Sequence, residues 1–210
     1  MGDRQDMKKL LKRSVQGVFL VLALPLAAIA GFGAWSEGFR FSAHACALAP
    51  GIPGDYLRIA FYKLTLQSCS LDSRIEFGSF FAHPSASVGE GVYIGAYCVM
   101  GKCSIGDRTQ VASHVQVLSG RRQHSRDASG SITGAEDGEF AQVEIGMDCW
   151  IGACAVVMAS VGAGTTIGAG AVVVKPIAAG VVAVGNPARV LERGTATDSA
   201  APRMVDPQKT

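Results

Sequence analysis

The stretch that decides the fold runs from Ile145 to Val157 and reads "IGMDCWIGACAVV". An aliphatic residue followed by glycine occurs at Ile145 and again six residues later at Ile151. Four positions after each aliphatic residue stands a small side chain, first Cys149 and then Ala155. An α-helix repeats every 3.6 residues and a simple strand alternates every two, so neither produces this six-residue period.

The same pattern continues in both directions along the chain. Aliphatic residues followed by a small residue recur at positions 88, 94, 105 and 111, and again at 161 and 167. A six-residue period is typical of one flat side of a parallel β-helix, in which the aliphatic residue points inward and glycine helps the chain to turn the corner. Three such sides make a coil of about eighteen residues, so the two blocks predict about four coils.

Composition agrees with many short strands rather than a helical bundle. The 210 residues include 26 glycines and only 7% aromatic residues, and the net charge of +2 gives no bulk attraction to nucleic acid. The chain contains no CxxC pair, which disfavours a zinc ribbon. The spacings of cysteines 98/103 and 149/154 leave metal ligation open, but buried small side chains are the favoured interpretation.

The first 36 residues predict a membrane-associated segment. Residues 15–35 carry no charge and follow a basic flank, and their length suffices to cross a bilayer. A cleaved signal peptide is the alternative. Pro25, near the middle of the segment, favours a bent helix that enters and leaves on the same side over a plain span.

Residues 37–70 are predicted to link the membrane segment to the repeats. Proline and glycine mark turns at 50–54, and a short amphipathic, interfacial helix is expected after them. Arg58 and Lys63 are expected at polar or interfacial positions of that helix. The β-helix domain then covers 71–192. The polar tail, residues 193–210, is expected to be disordered.

"IGMDCWIGACAVV", "IGAGAVVVKPI" and "VGNPARVL" together resemble the left-handed β-helix, hexapeptide-repeat acyltransferases, with the nearest likeness to the xenobiotic, maltose and nodulation-factor O-acetyltransferases. The resemblance covers about residues 75–191. It implies a left-handed parallel β-helix, a homotrimer with active sites between subunits, and acetyl-CoA as donor without a metal. One departure is a spacing about two residues short between Val157 and Val161, which predicts a tightened corner.

The repeat stops near Leu118 and resumes near Val143. The intervening loop, residues 119–142, contains "GRRQHSRDASG" and is long enough to be functional. In similar acetyltransferases a loop at this point carries the catalytic histidine and then an aspartate, which the resemblance places at His124 and Asp127. A sugar hydroxyl needs its proton removed as it attacks a thioester, and imidazole suits that task at neutral pH.

Other site residues follow from chemistry and from the resemblance. Arginine suits phosphate and carboxylate groups, so the loop arginines are candidates for coenzyme phosphates or an anionic acceptor. His114 is expected on an outer edge near the same cleft. The expected substrate-binding residues are His114, Arg121, Arg122 and Arg126. By resemblance, the coenzyme cleft would include Trp150, Gly152, Ser160, Lys175 and Arg189.

The leading hypothesis is an acetyl-CoA-dependent O-acetyltransferase that acts on a sugar hydroxyl of a polysaccharide or lipid-linked glycan at a membrane. Because coenzyme A esters are cytoplasmic, the domain is expected to face the cytoplasm. One alternative is a hydratase of the γ-carbonic anhydrase type, with zinc held by His83, His114 and His124. Another is a non-catalytic β-helix scaffold.

Overall fold

The computed structural model describes residues 2–119, 128–132 and 141–191 of the chain. Its main body is a three-sided parallel β-solenoid, which confirms the predicted left-handed β-helix class. We name the three flat sides faces A, B and C, in the order in which the chain visits them. The first coil is closed below by three helices, which we name the helical cap.

Each face is a parallel sheet of very short strands. Face A contains β1 (Ser68–Cys69), β4 (Ser87–Val88), β7 (Cys103–Ile105) and β10 (Val143–Ile145). Face B contains β2 (Arg74–Ile75), β5 (Tyr93–Ile94), β8 (Gln110–Val111), β11 (Trp150–Ile151), β13 (Thr166–Ile167) and β15 (Val182–Val184), with β16 (Arg189–Val190) antiparallel at its edge. Face C contains β3 (Phe80–Phe81), β6 (Val99–Met100), β9 (Gln116–Val117), β12 (Val156–Val157) and β14 (Val172–Val173).

The solenoid has more coils than the roughly four that the repeat predicts, since face B has six parallel strands. One extra coil lies at the start, where Cys69 and Phe81 take inward positions that the aliphatic-glycine pattern does not mark, and the other lies at the end, where Ile177 and β15 continue the stack. The inward ladders are buried throughout, for example Ile94, Val111 and Ile151 on face B.

The small residues four positions after each aliphatic residue are buried as predicted. They are Val92, Cys98, Thr109, Val115, Cys149, Ala155, Thr165 and Ala171. All six cysteines are free thiols, and five of them are buried, which fits small core side chains. The exception is Cys154, which is exposed at the corner between faces B and C.

The predicted tightened corner exists and preserves the register. Val161 still pairs in parallel with Ile145 and with Ile177 in the next coil. Three residues separate the inward Val157 from the inward Val161, and the next coil turns equally sharply between Val173 and Ile177. The short spacing is therefore a repeated shape of the corner between faces C and A.

The helical cap consists of α1 (Gly2–Ile29), a 3₁₀ turn at Gly31–Gly33, α2 (Ser36–Ala47) and α3 (Gly51–Thr65). The sequence predicted one short amphipathic helix in the region of α2 and α3. The chain reverses at the 3₁₀ turn, where Gly31, Phe32 and Gly33 all have positive φ. α1 continues through Pro25 as one helix, and the chain reverses beyond it, at the 3₁₀ turn.

Arg58 is fully buried, which corrects the expectation that it is polar or interfacial. Its guanidinium Nη1 donates to the carbonyl oxygens of Ala49 at 2.6 Å and Cys46 at 3.1 Å, and its Nε donates to Ile75 O at 2.9 Å. Its Nη2 also pairs with Asp55 at 2.6 Å. Arginine suits this position because its planar fork can satisfy several acceptors at once. Arg58 thus joins α2 and α3 to the first coil.

Candidate functional site

The long loop leaves the solenoid at the corner between faces C and A. Its base is fixed at Ser119, which is buried and whose Oγ accepts a hydrogen bond from the Lys102 backbone N–H at 2.8 Å. The chain rejoins face A at Val143, in register with Cys103 of the coil below. His124, Asp127, Arg121, Arg122 and Arg126 lie outside the described residues, so their predicted roles stay predictions.

His114 stands on the corner between faces B and C. It has a φ of +61°, and its ring stacks on Tyr97 of the coil below, with centroids 5.3 Å apart and planes 12° apart. Cys154 occupies the same corner one coil above, since its backbone N–H donates to Ser113 O, beside His114. Tyr97 was missed by the sequence reasoning. The signal was present, because Tyr97, His114 and Cys154 each follow an inward aliphatic residue by three positions.

Trp150 projects from the outer side of face B and is 60% exposed. It pairs with Gln110 below and with Thr166 above, so its ring is flanked by polar side chains on both neighbouring strands. Gly152 is buried at the end of the same strand. A Cβ there would collide with the backbone nitrogen of Ala169 in the next coil, so close coil-to-coil packing already requires glycine at this position.

Ser160 lines a groove of about 620 Å³ on the outer side of face A. Its Oγ accepts a hydrogen bond from the Glu144 N–H at 3.1 Å. The rest of the groove is lined by glycines and other small residues, by Glu144 and three aliphatic residues, and by Pro176 at its upper end. Lys175, exposed and next to Pro176, stands on the same corner one coil above Ser160. The groove can accommodate a narrow, elongated ligand, and the side chain of Lys175 supplies a positive charge beside it.

Arg189 lies on the far edge of face B. It is exposed, it belongs to the antiparallel strand β16, and it follows a cis peptide bond between Asn186 and Pro187. Its Nη1 donates to the Ala188 carbonyl at 3.2 Å. Within the described residues, Arg189 is therefore on the same face as Trp150 and on a different side from Ser160.

The predicted site residues fall into two groups on one protomer. Ser160 and Lys175 share the corner between faces C and A with the base of the long loop, which is about two coil spacings of 4.8 Å below Lys175. His114 and Trp150 are on the other side of face C. A single chain therefore presents the two groups at opposite edges of face C.

Two of the histidines named for a zinc site are on different corners. His83 follows β3 at the corner between faces C and A, whereas His114 stands between faces B and C. Burial lowers the pKa of His83, with smaller effects from Lys102 and Arg40. Across residues 2–119, 128–132 and 141–191, no group of three His, Cys, Asp or Glu side chains could hold a metal ion.

α1 contains the one helix segment in the described part of the chain that is long and apolar enough to cross a membrane, Lys9–Ile29. By length and composition alone, a core helix or a signal sequence meets the same criterion. The segment agrees with the predicted membrane association and does not by itself give an orientation.

The solved structures that resemble this chain include acetyltransferases. A maltose O-acetyltransferase from Clostridium difficile 630 aligns at 25% identity and a TM-score of 0.63, over 75% of this chain and 86% of that one. A hexapeptide-repeat-containing acetyltransferase from Vibrio cholerae aligns at 17% identity and a TM-score of 0.56, over 79% of this chain and 92% of that one, which shows the fold. No family model and no protein of curated function matches the sequence.

The polySia-specific acetyltransferase NeuO aligns at 26% identity with a TM-score of 0.47, over 61% of this chain. This chain spans 63% of that protein, less than two thirds of its length. The likeness to the maltose O-acetyltransferase, in fold and in sequence, confirms the predicted resemblance. It supports an acyltransferase as the class of enzyme and acetyl-CoA as the donor.

Proposed function

We propose that this chain is an acetyl-CoA-dependent O-acetyltransferase that acts on a sugar hydroxyl of a polysaccharide or lipid-linked glycan at a membrane. The donor is cytoplasmic, so the solenoid faces the cytoplasm. The long apolar helix α1 supports the membrane location. The likeness to a maltose O-acetyltransferase over 75% of the chain supports a sugar hydroxyl as the acceptor.

The observation that carries the proposal is the position of the long loop. It interrupts an otherwise continuous solenoid at the corner that also presents Ser160 and Lys175. The loop contains His124 and Asp127. A solenoid needs no insertion in order to fold, so a fixed loop base with a histidine and three arginines beyond it favours a chemical role over a structural one.

His124 is the general base in this proposal. Bound acetyl-CoA supplies an acetyl group activated as a thioester. His124 takes the proton from the acceptor hydroxyl while the hydroxyl oxygen bonds to the acetyl carbonyl carbon. His124 then returns that proton to the coenzyme sulfur as the thioester bond breaks. Asp127 orients His124 or the acceptor. The positively charged Arg121, Arg122 and Arg126 hold anionic groups on the acceptor or the coenzyme.

The described residues offer a fitting place for the donor. The groove beside Ser160 is lined by small side chains, which leaves room for a narrow pantetheine-like chain. Lys175, at its upper end, and Arg189 are exposed cations that suit phosphates. Trp150 contributes an exposed ring, and His114 with Tyr97 forms a stacked pair suited to the flat face of a sugar.

We further propose that the active unit is a homotrimer. The groove and loop are on one side of face C, and Trp150 and His114 are on the other. Closed cyclic association of identical chains places one side of a protomer against a different side of its neighbour. Such packing would complete the site from both groups.

The test is acetyl transfer by a matched pair of loop variants. Full-length protein in detergent is assayed with radiolabelled acetyl-CoA and a panel of sugars, with amino sugars included to separate O- from N-acetylation. His124→Ala is expected to lower kcat by about 10²–10⁴-fold, the usual contribution of a general base. The control, Gln123→Ala, removes the neighbouring side chain and should keep wild-type turnover. Equal activity of the two variants would remove His124 from the mechanism.

A further inference from the structure

The side of α1 that points away from the protein is apolar along most of its length. No polar residue occurs from position 17 to 34. Gln16, Ala23, Ala27 and Ala30 are buried against the cap at spacings of seven, four and three residues, whereas Val18, Val21, Leu22 and Ile29 are exposed. A helix on the surface of a soluble protein normally presents polar side chains opposite its buried stripe. α1 presents aliphatic ones.

The other two helices of the cap also expose apolar side chains. Phe41 and Ala45 of α2, and Leu48 just beyond its end, are exposed at spacings of four and three residues. Ile52 at the start of α3 is also exposed, and it lines a groove of about 450 Å³ together with Leu11, Val15 and Phe19 of α1. The exposed apolar surface of α1 therefore continues across this groove to the start of α3. We call these exposed apolar residues of α1, α2 and α3 the cap surface.

Contacts at both ends of its apolar stretch hold α1 against the body of the protein. At the start of that stretch, Lys12 Nζ pairs with Asp72 of the first coil at 2.7 Å, and Gln16 Nε2 donates to Leu71 O at 2.8 Å. In its middle, Phe19 stacks on Tyr56 of α3 with ring centroids 5.4 Å apart. Just beyond its end, Gly33 packs closely against Thr65 and Pro84.

These contacts decide between a helix that spans the membrane and a helix that lies along the protein surface. A transmembrane helix needs about twenty residues that leave the folded domain. The residues of α1 that would have to leave the domain are the same ones that contact the first coil and α3. A helix attached at both ends lies along the domain, and its free side forms a surface rather than a span.

We propose that the cap surface docks in the plane of a membrane, so that the protein is monotopic and its solenoid stands on the cytoplasmic leaflet. This inference rests on the membrane association proposed above and adds its geometry. The partner is a lipid surface with anionic headgroups, because Lys9 and Arg13 are exposed at one end of the apolar side. At the other end Trp35 is 58% exposed, which suits the headgroup region.

Vesicle flotation tests the docking surface. Detergent-free full-length protein is mixed with vesicles of phosphatidylcholine and phosphatidylglycerol at three to one, and with vesicles of phosphatidylcholine alone. Leu22→Glu and Leu48→Glu should each lower the bound fraction at least fivefold, and omission of the anionic lipid should also lower it. The matched control is Leu191→Glu, since Leu191 is 51% exposed at the far end of the solenoid and Leu22 is 56% exposed on α1. Circular dichroism checks that each variant folds.

Spin labels measure the depth of the same surface. Single cysteines are placed at Val21, Ile29 and Leu48 in a Cys154→Ser background, and accessibility to oxygen and to a water-soluble nickel complex is compared. In-plane docking predicts a similar, shallow depth for all three. A depth that reaches the bilayer centre near Val21, with Leu48 in water, would establish a span or a re-entrant helix and overturn the proposal.

Three further outcomes are also decisive. Protein that ignores vesicles but self-associates in sedimentation, with Leu22→Glu abolishing the self-association, would assign the cap surface to a second copy of this chain. Neither flotation nor spin labelling requires coenzyme. Protein that binds vesicles in plane and transfers no acetyl group would contradict the proposed reaction alone. Protein that acetylates a soluble sugar and ignores vesicles would contradict the membrane docking alone.

Discussion

Replacement of Arg58 by methionine should weaken the junction between the cap and the solenoid. The fully buried guanidinium satisfies the carbonyl oxygens of Ala49 and Ile75 and pairs with Asp55. Methionine fills similar volume but offers no donor, so these buried acceptors lose their partner. Each buried acceptor left without a partner costs about 1–3 kcal/mol, so the loss at Ala49 and Ile75 together is about 2–6 kcal/mol. For a protein of this size that lowers Tm by about 4–24 °C.

The assay is thermal unfolding followed by circular dichroism, with Arg40→Met as the control. Arg40 is an exposed arginine of α2 whose nearest carboxylate, Glu37, is 3.7 Å away, so its loss should change stability by less than about 1 kcal/mol. Asp55 keeps its 2.9 Å pair with Arg74 in the Arg58→Met variant, so the carboxylate itself is not left alone. An Arg58→Met protein that melts within 2 °C of Arg40→Met would refute the reasoning, because the junction would then not depend on the guanidinium.

Three other predictions use different parts of the structure. Gly152→Ala should lower stability by about 1–3 kcal/mol, since its Cβ would meet the backbone of the next coil, whereas Gly17→Ala has open space and should raise it by up to about 1 kcal/mol in urea unfolding. The hydrogen bond from Lys12 lowers the pKa of Asp72 below 3.8. The Lys12–Asp72 pair therefore adds to the stability of the folded state above that pH, and this contribution is lost as the pH falls through the lowered pKa. The Tm difference between wild type and Asp72→Asn should therefore shrink towards zero on acidification. Native protein should show one thiol per chain that reacts readily with a disulfide reagent, at Cys154, and six after denaturation, and two or more in the folded state would contradict the burial of the other five.

The solenoid was predictable from sequence because its physics is local. Each coil repeats the same inward aliphatic residue and the same small side chain, so Ile145 and Cys149 suffice to show the period. The shortened corner at Val161 was also visible in the sequence. Because the strands of successive coils pair in a fixed register, the two residues missing from the six-residue period must be missing from a turn. The first coil, which contains Cys69 and Phe81, was less visible, because cysteine and phenylalanine fill inward positions there.

The cap and the site were less predictable for a different reason. Burial of Arg58 depends on carbonyl oxygens from α2 and from β2, which lie 9 to 17 residues away, and no local pattern marks that convergence. The turn at Gly31–Gly33 was overlooked because Pro25 is the more obvious helix breaker. Ser160 and Trp150 lie on different sides because of the way the solenoid winds. A resemblance in sequence names these residues but does not say which side of the solenoid each one occupies.

The most direct test of the central claim is the melting temperature of the purified full-length protein with acetyl-CoA and, separately, with zinc. A ligand at one hundred times its Kd stabilises by about 2.7 kcal/mol, which is about 5–10 °C for a protein of this size. The account predicts that shift with acetyl-CoA and none with zinc. A shift with zinc alone would contradict it in favour of the metal-dependent hydratase, and no shift with acetyl-CoA at millimolar concentration would contradict acetyl-CoA as the donor.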